Sequence, residues 1–79
     1  MSHVPHELAE EFPDQLDAIH TMKTSNAHFA KLADSYHTVN REIHRIETGV
    51  QPSAENHETG LRKQRMALKD EIAGMLRDA

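Results

Sequence analysis

Apolar residues recur through the middle of the chain at alternating spacings of three and four. This spacing places them on one side of an α-helix and repeats every seven residues, as in the contact seam of a coiled coil. A strand would need apolar residues at every second position, which this stretch lacks. The pattern predicts a helix at about residues 26–48, with the seam residues Phe29, Leu32, Tyr36, Val39, Ile43 and Ile46.

A second helix, predicted at about residues 54–77, carries a less regular version of the same seam. Gly49 and Pro52 lie between the two helices, where Gly49 suits a left-handed C-cap and Pro52 stops the first helix. Ser53 is a candidate cap for the second helix. The short loop makes the two helices antiparallel neighbours. The apolar seam residues of the second helix are Leu61, Leu68, Ile72 and Met75.

A single alignment of the two antiparallel helices places their seams against each other. In this register, Ile43 faces Leu61. Arg65 occupies a seam position in this register. An unpaired buried guanidinium costs several kcal/mol, so Arg65 needs a carboxylate. We expect it from Glu42, from Glu58 or from a second chain.

The residues before the first long helix are predicted to form an arm, so that residues 1–24 are the arm and residues 25–79 the hairpin. Residues 1–22 hold five acidic residues and no Lys or Arg. A short helix is expected at Asp14–Lys23, and Ser25 or Asn26 can cap the helix that follows.

A hairpin of two helices leaves part of its seam exposed to water. A second copy of the chain could cover it by forming a dimeric four-helix bundle, which small domains often need. Alternatively, the arm could fold back and complete a three-helix monomer. The predicted fold is all-α: an antiparallel, coiled-coil-like helical hairpin with a short N-terminal helix, associating into a bundle. We expect a homo-oligomer, with a dimer favoured.

The composition limits the classes of protein to consider. With 79 residues there is room for one small domain, and the absence of cysteine excludes disulfides and thiolate metal sites. No apolar run reaches the length of a membrane span, and no secretory signal is visible. We therefore expect a cytoplasmic protein without a membrane partner.

Nucleic-acid binding is the alternative function to weigh. The predicted register of the two helices brings five basic residues together midway along the hairpin, where they form a possible basic patch. A net charge of −4 and the lack of stacking aromatics disfavour nucleic acid as the partner. The residues of this patch are Arg41, Arg45, Arg62, Lys63 and Arg65.

Chemistry at a catalytic or metal centre has little support in the sequence. Seven histidines are present, but His37 and His44 lie about 10 Å apart along the helix axis, too far to bind one ion. No glycine-rich phosphate loop or nucleophile elbow occurs. We expect no catalytic residues, no cofactor and no metal.

The run Leu61–Ile72 (LRKQRMALKDEI) resembles the hallmark of the YdcH-like family, small bacterial proteins of unknown function. Phe29–Asp34, with Tyr36, His37 and Asn40, also resembles that family. The resemblance implies a helical hairpin, and it implies no established activity and no functional residues.

Together these observations predict a small helical module for protein–protein interaction or assembly. Its ten seam residues would pack helices into a groove, with a second copy or an unidentified protein as partner.

Overall fold

The computed structural model describes residues 4–78, which form four α-helices and no strand. Short connections join the helices, and a turn of 3₁₀ helix at Pro13–Gln15 links the first two. The all-α prediction is confirmed. The helices are α1 at Leu8–Glu11, α2 at Leu16–Ser25, α3 at Ala27–Glu47 and α4 at Glu55–Asp78.

The two long helices, α3 and α4, pack side by side in antiparallel directions. His28, at the start of α3, lies 3.1 Å from Glu71 near the end of α4. At the opposite end, Arg62 Nη2 lies 2.9 Å from the Glu47 carboxylate. The predicted hairpin is therefore correct, and each of its four helix ends lies one residue from its predicted position.

The helix ends follow local chemistry, with one correction. Asn26 caps α3, since its Oδ1 accepts a hydrogen bond of 3.0 Å from the Phe29 N–H. Gly49 has a φ of 79° and closes the far end in the left-handed region, as predicted. The predicted cap Ser53 is wrong, because α4 begins at Glu55. The Ser53 hydroxyl instead donates to the Ala54 carbonyl.

The core consists of two apolar clusters along the hairpin. The smaller cluster holds Val39, Ile43 and Leu61, so the predicted register around Ile43 is correct. The larger cluster joins the arm to the hairpin. Its buried members are Leu8, Ile19, Phe29, Leu32, Ala33, Tyr36, Ile72 and Leu76.

The arm closes the open side of the hairpin within one chain. Seven of the ten predicted seam residues are buried in this single copy, and Ile46, Leu68 and Met75 are partly buried against them. Of the two ways of covering the seam that the sequence leaves open, the structure shows the folded-back arm. A second copy is not needed for this burial, so self-association remains a prediction.

No helix in the described part of the chain is long and apolar enough to cross a membrane.

Gly49 and Gly60 allow a matched test of the backbone conformation assigned to each glycine. A Cβ at Gly60 or Gly49 would meet nothing within 4 Å, but only Gly49 has a positive φ. We therefore expect Gly60→Ala to stabilise the protein by about 0.5–1 kcal/mol. Gly49→Ala should destabilise it by about 1 kcal/mol. Chemical denaturation measures both, and shifts of the same sign would contradict the assigned conformations.

Candidate interaction surface

The candidate interaction surface is the face of α3 and α4 that the arm covers. We call it the groove and define it by its buried apolar floor. Leu8 of α1 is 9 % exposed and Ile19 of α2 is 7 % exposed, so both insert fully into it. An amphipathic helix on an apolar groove is a standard mode of protein recognition. The floor consists of Phe29, Leu32, Ala33, Tyr36, Ile72 and Leu76.

Two polar side chains of α3 hold the beginning of the arm. The Tyr36 hydroxyl donates to the His6 carbonyl. One turn further along, the Asn40 side-chain amide donates to the Pro5 carbonyl at 2.9 Å. His6 has a φ of 64°, a region that residues other than glycine rarely adopt. The arm therefore does more than cover apolar surface, because these two hydrogen bonds also fix its position.

Asn40 also links the arm to α4. It is 1 % exposed, and its Oδ1 accepts a hydrogen bond of 2.9 Å from Arg65 Nη1. The partner of Arg65 within residues 4–78 is therefore a neutral amide, so the expected pairing with Glu42 or Glu58 is wrong. A carboxylate from a second chain stays a prediction. Glu42 and Glu58, the two carboxylates expected to pair with Arg65, are engaged elsewhere. Glu42 lies 3.0 Å from His57, and Glu58 lies 2.9 Å from Arg62.

An ion pair and a polar contact also join the arm to α4 and α3. Lys69 Nζ donates to Glu11 Oε1 at 2.8 Å, and His37 Nδ1 lies 3.1 Å from Glu7 Oε2. The hydrogen bond from Lys69 is the main cause that lowers the pKa of Glu11 below its ordinary value of 4.5. Because the folded pKa is lowered, this contact stabilises the docked arm above that value. The stabilisation is lost as the pH falls through the lowered pKa.

The arm does not fill the groove completely. A cleft of about 440 Å³ remains between the arm and α3, with Ala33 and Asp34 on one wall and Leu16 on the other. Leu16 is 50 % exposed although it belongs to the apolar face of the arm. The arm therefore consists of two short helices, α1 and α2, that lie in the groove with unfilled space beside them.

A family model described as "Protein of unknown function (DUF465)" matches residues 29–76. The chain belongs to the DUF465 family. This is the YdcH-like family, so the resemblance seen in the sequence is confirmed. No curated protein and no solved structure shows significant similarity to the chain.

The DUF465 match coincides with the hairpin and not with the arm. It begins at Phe29 and ends at Leu76, both of which lie in the groove floor. The arm residues that fill the groove, Leu8 and Ile19, lie outside the matched range.

The residues of the predicted basic patch of this DUF465 chain have different partners and line different cavities. Arg62 and Arg65 line one cavity, whereas Lys63 lines a different one. Arg41 lies 3.9 Å from Glu7 of the arm, and Arg45 donates to Gln51 of the loop. The hydrogen bond to Glu47 is the main cause that raises the pKa of Arg62.

Sequence reasoning missed the role of Asn40, which it noted only as part of the family resemblance. An isolated asparagine one position beyond a seam residue gives no sign of burial. The available signal is its spacing from Tyr36, because residues four apart lie on the same helix face. Lys69, which pairs with Glu11, was also absent from the predicted patch.

The single tyrosine of the chain reports directly on arm docking. Burial, followed by the charges of Glu11 and Glu7, raises the pKa of Tyr36 from 10.0 to about 12. Because the folded pKa is raised, the folded state should lose stability as the pH rises from about 10 to about 12. Near-ultraviolet absorbance should detect tyrosinate in the native protein only near pH 12.

Substitutions on α2 make this test specific. Ile19→Asp should undock the arm and move the tyrosinate midpoint towards 10, whereas Leu16→Asp, at a half-exposed site, should leave it unchanged. Ionisation of the unmodified protein near pH 10, with its helical circular dichroism intact, would contradict the buried position of Tyr36.

Proposed function

We propose that this DUF465 protein is a non-catalytic interaction module whose groove accepts an amphipathic helix. One observation carries the proposal: a helical arm already occupies the groove through Leu8 and Ile19. The seam residues then serve two purposes, as the core of the closed chain and as the contact surface for a partner. We place this module in the cytoplasm, as the sequence leads us to expect.

The size of the arm contact favours exchange. Burying one Leu or Ile side chain contributes about 1.5–3 kcal/mol, which is an upper estimate when taken from structure. Within residues 4–78 the buried apolar side chains of the arm are Leu8 and Ile19, and Phe12, Ala18 and Met22 are partly buried against the same cluster. Ordering the arm opposes this gain. A partner helix with a larger apolar face can therefore displace the arm.

A second copy of the chain is a suitable partner for the groove, because it carries an identical arm. Its arm carries the same Leu8 and Ile19, so exchange of arms between two copies would reproduce the contacts between the arm and the groove. The connection that would change is Asn26, the single residue between α2 and α3, which has an extended conformation. This exchange is our proposal for the homodimer expected from the sequence.

Nucleic-acid association, the alternative function, rests on the cavity shared by Arg62 and Arg65. Four of the five residues of the basic patch already contact groups within the chain. Those contacts would have to be exchanged for phosphate. Salt-sensitive gel retardation, lost on replacing the patch residues with alanine, would favour this alternative.

A labelled peptide of residues 4–25 tests the groove directly. Its fluorescence anisotropy is measured with the full-length Ile19→Asp variant, whose own arm should be undocked, and with the unmodified chain. We expect binding to the variant to be at least about tenfold tighter, because a docked arm reduces the population of open grooves. Leu8→Asp provides a second variant at a distance from the α2–α3 junction.

Matched controls distinguish groove binding from other association. The Leu16→Asp chain should behave as the unmodified protein, since that side chain is half exposed. A peptide that itself carries Ile19→Asp should not bind. Failure of the unmodified peptide to bind either open variant, with helicity retained, would refute the proposal.

A further inference from the structure

A cavity of about 320 Å³ lies between the arm and α4, and it shares Tyr36 with the groove floor. Its volume is at the lower end of the range for small-molecule sites. Met66 on its rim is 64 % exposed and provides an apolar contact. The cavity is lined by Glu11, Tyr36, Arg62, Arg65, Met66 and Lys69, together with His6 at the arm.

Two of the three cations around this cavity are already neutralised. Arg62 lies 2.9 Å from both Glu47 and Glu58, and Lys69 lies 2.8 Å from Glu11. Arg65 differs, because no carboxylate of residues 4–78 lies within ion-pair distance of it. Its hydrogen bond goes to the neutral Oδ1 of Asn40.

A half-buried guanidinium is costly without a charged partner. Arginine has five N–H donors, and the contact with Asn40 engages one nitrogen, Nη1. Asn40 is buried and also bonded to the Pro5 carbonyl, so it holds the guanidinium in place. Arg65 is therefore a positioned cation beside a cavity, which is the arrangement that anion-binding sites use.

We propose that this cavity binds a single carboxylate group through Arg65, with the ligand's apolar part against Met66. One uncompensated cation matches one negative charge. The Glu11 carboxylate in the same lining repels any anion, and it repels a doubly charged phosphate about twice as strongly as a single carboxylate. The site shares Tyr36 with the groove floor, and His6 and Glu11 of the arm line it while the arm is docked, so the proposal concerns the closed form of the chain.

Benzoate is the probe, because it joins one carboxylate to an apolar ring. Titration of the full-length, isotope-labelled protein by NMR should shift the Arg65 side-chain Nε–H resonance. Benzamide, the neutral analogue of the same shape, should bind at least about tenfold more weakly, since hydrogen bonds to charged groups are the stronger ones. Comparison with the peptide Ac-Ala-Glu-Ala-amide shows whether a free acid or a protein side chain is the better source of the carboxylate.

The variants Arg65→Gln and Lys63→Gln form a matched pair on α4. Arg65→Gln should abolish benzoate binding, whereas Lys63→Gln, which removes an exposed charge at a different cavity, should retain it. The comparison of benzoate with benzamide stands even if Arg65→Gln does not fold. Equal binding of benzoate and benzamide, tighter binding of inorganic phosphate, or retained binding in a folded Arg65→Gln variant would each overturn the proposal.

Discussion

An apolar seam along two antiparallel helices must be covered on its open side, and the rest of this structure depends on how that is done. Here the chain's own arm covers it, with Leu8 and Ile19 inserted into the groove. Asn40 makes this arrangement specific. Its buried amide donates to the arm and accepts from α4, so loss of either partner would leave a polar group unsatisfied. Apolar burial supplies the stability of the closed form, and this amide sets its position.

The closed arm suggests how such a small domain could regulate its own contacts. A tethered helix competes with a partner at a high effective concentration, so under the proposed function a partner helix would need a better fit than the arm to enter the groove. The family match covers the hairpin, which is the part of the chain that forms the groove. The arm is the component that would set the threshold for binding.

The hairpin could be predicted from the sequence because both of its determinants are local. The spacing of three and four fixes the buried face of α3, and Gly49 with Pro52 fixes the turn. The position of the arm could not be predicted, because its apolar residues suit equally a groove in the same chain or in a second copy. The partner of Arg65 was missed because Glu42 pairs with His57 across the hairpin and Glu58 pairs with Arg62 one turn along α4. Which of several basic side chains pairs with a given carboxylate can be seen only when the positions of the helices are known.

The central claim is that the arm and the groove it fills belong to the same chain. An isotope-filtered NMR experiment on a mixture of labelled and unlabelled protein measures this directly. At low protein concentration, where an arm-exchanged dimer is dissociated, the account predicts a nuclear Overhauser effect between the Asn40 side-chain amide and the His6 α proton within one labelled chain. It predicts none between differently labelled copies under that condition. Absence of that contact, or its appearance only between copies in the unmodified protein at low concentration, would contradict the account.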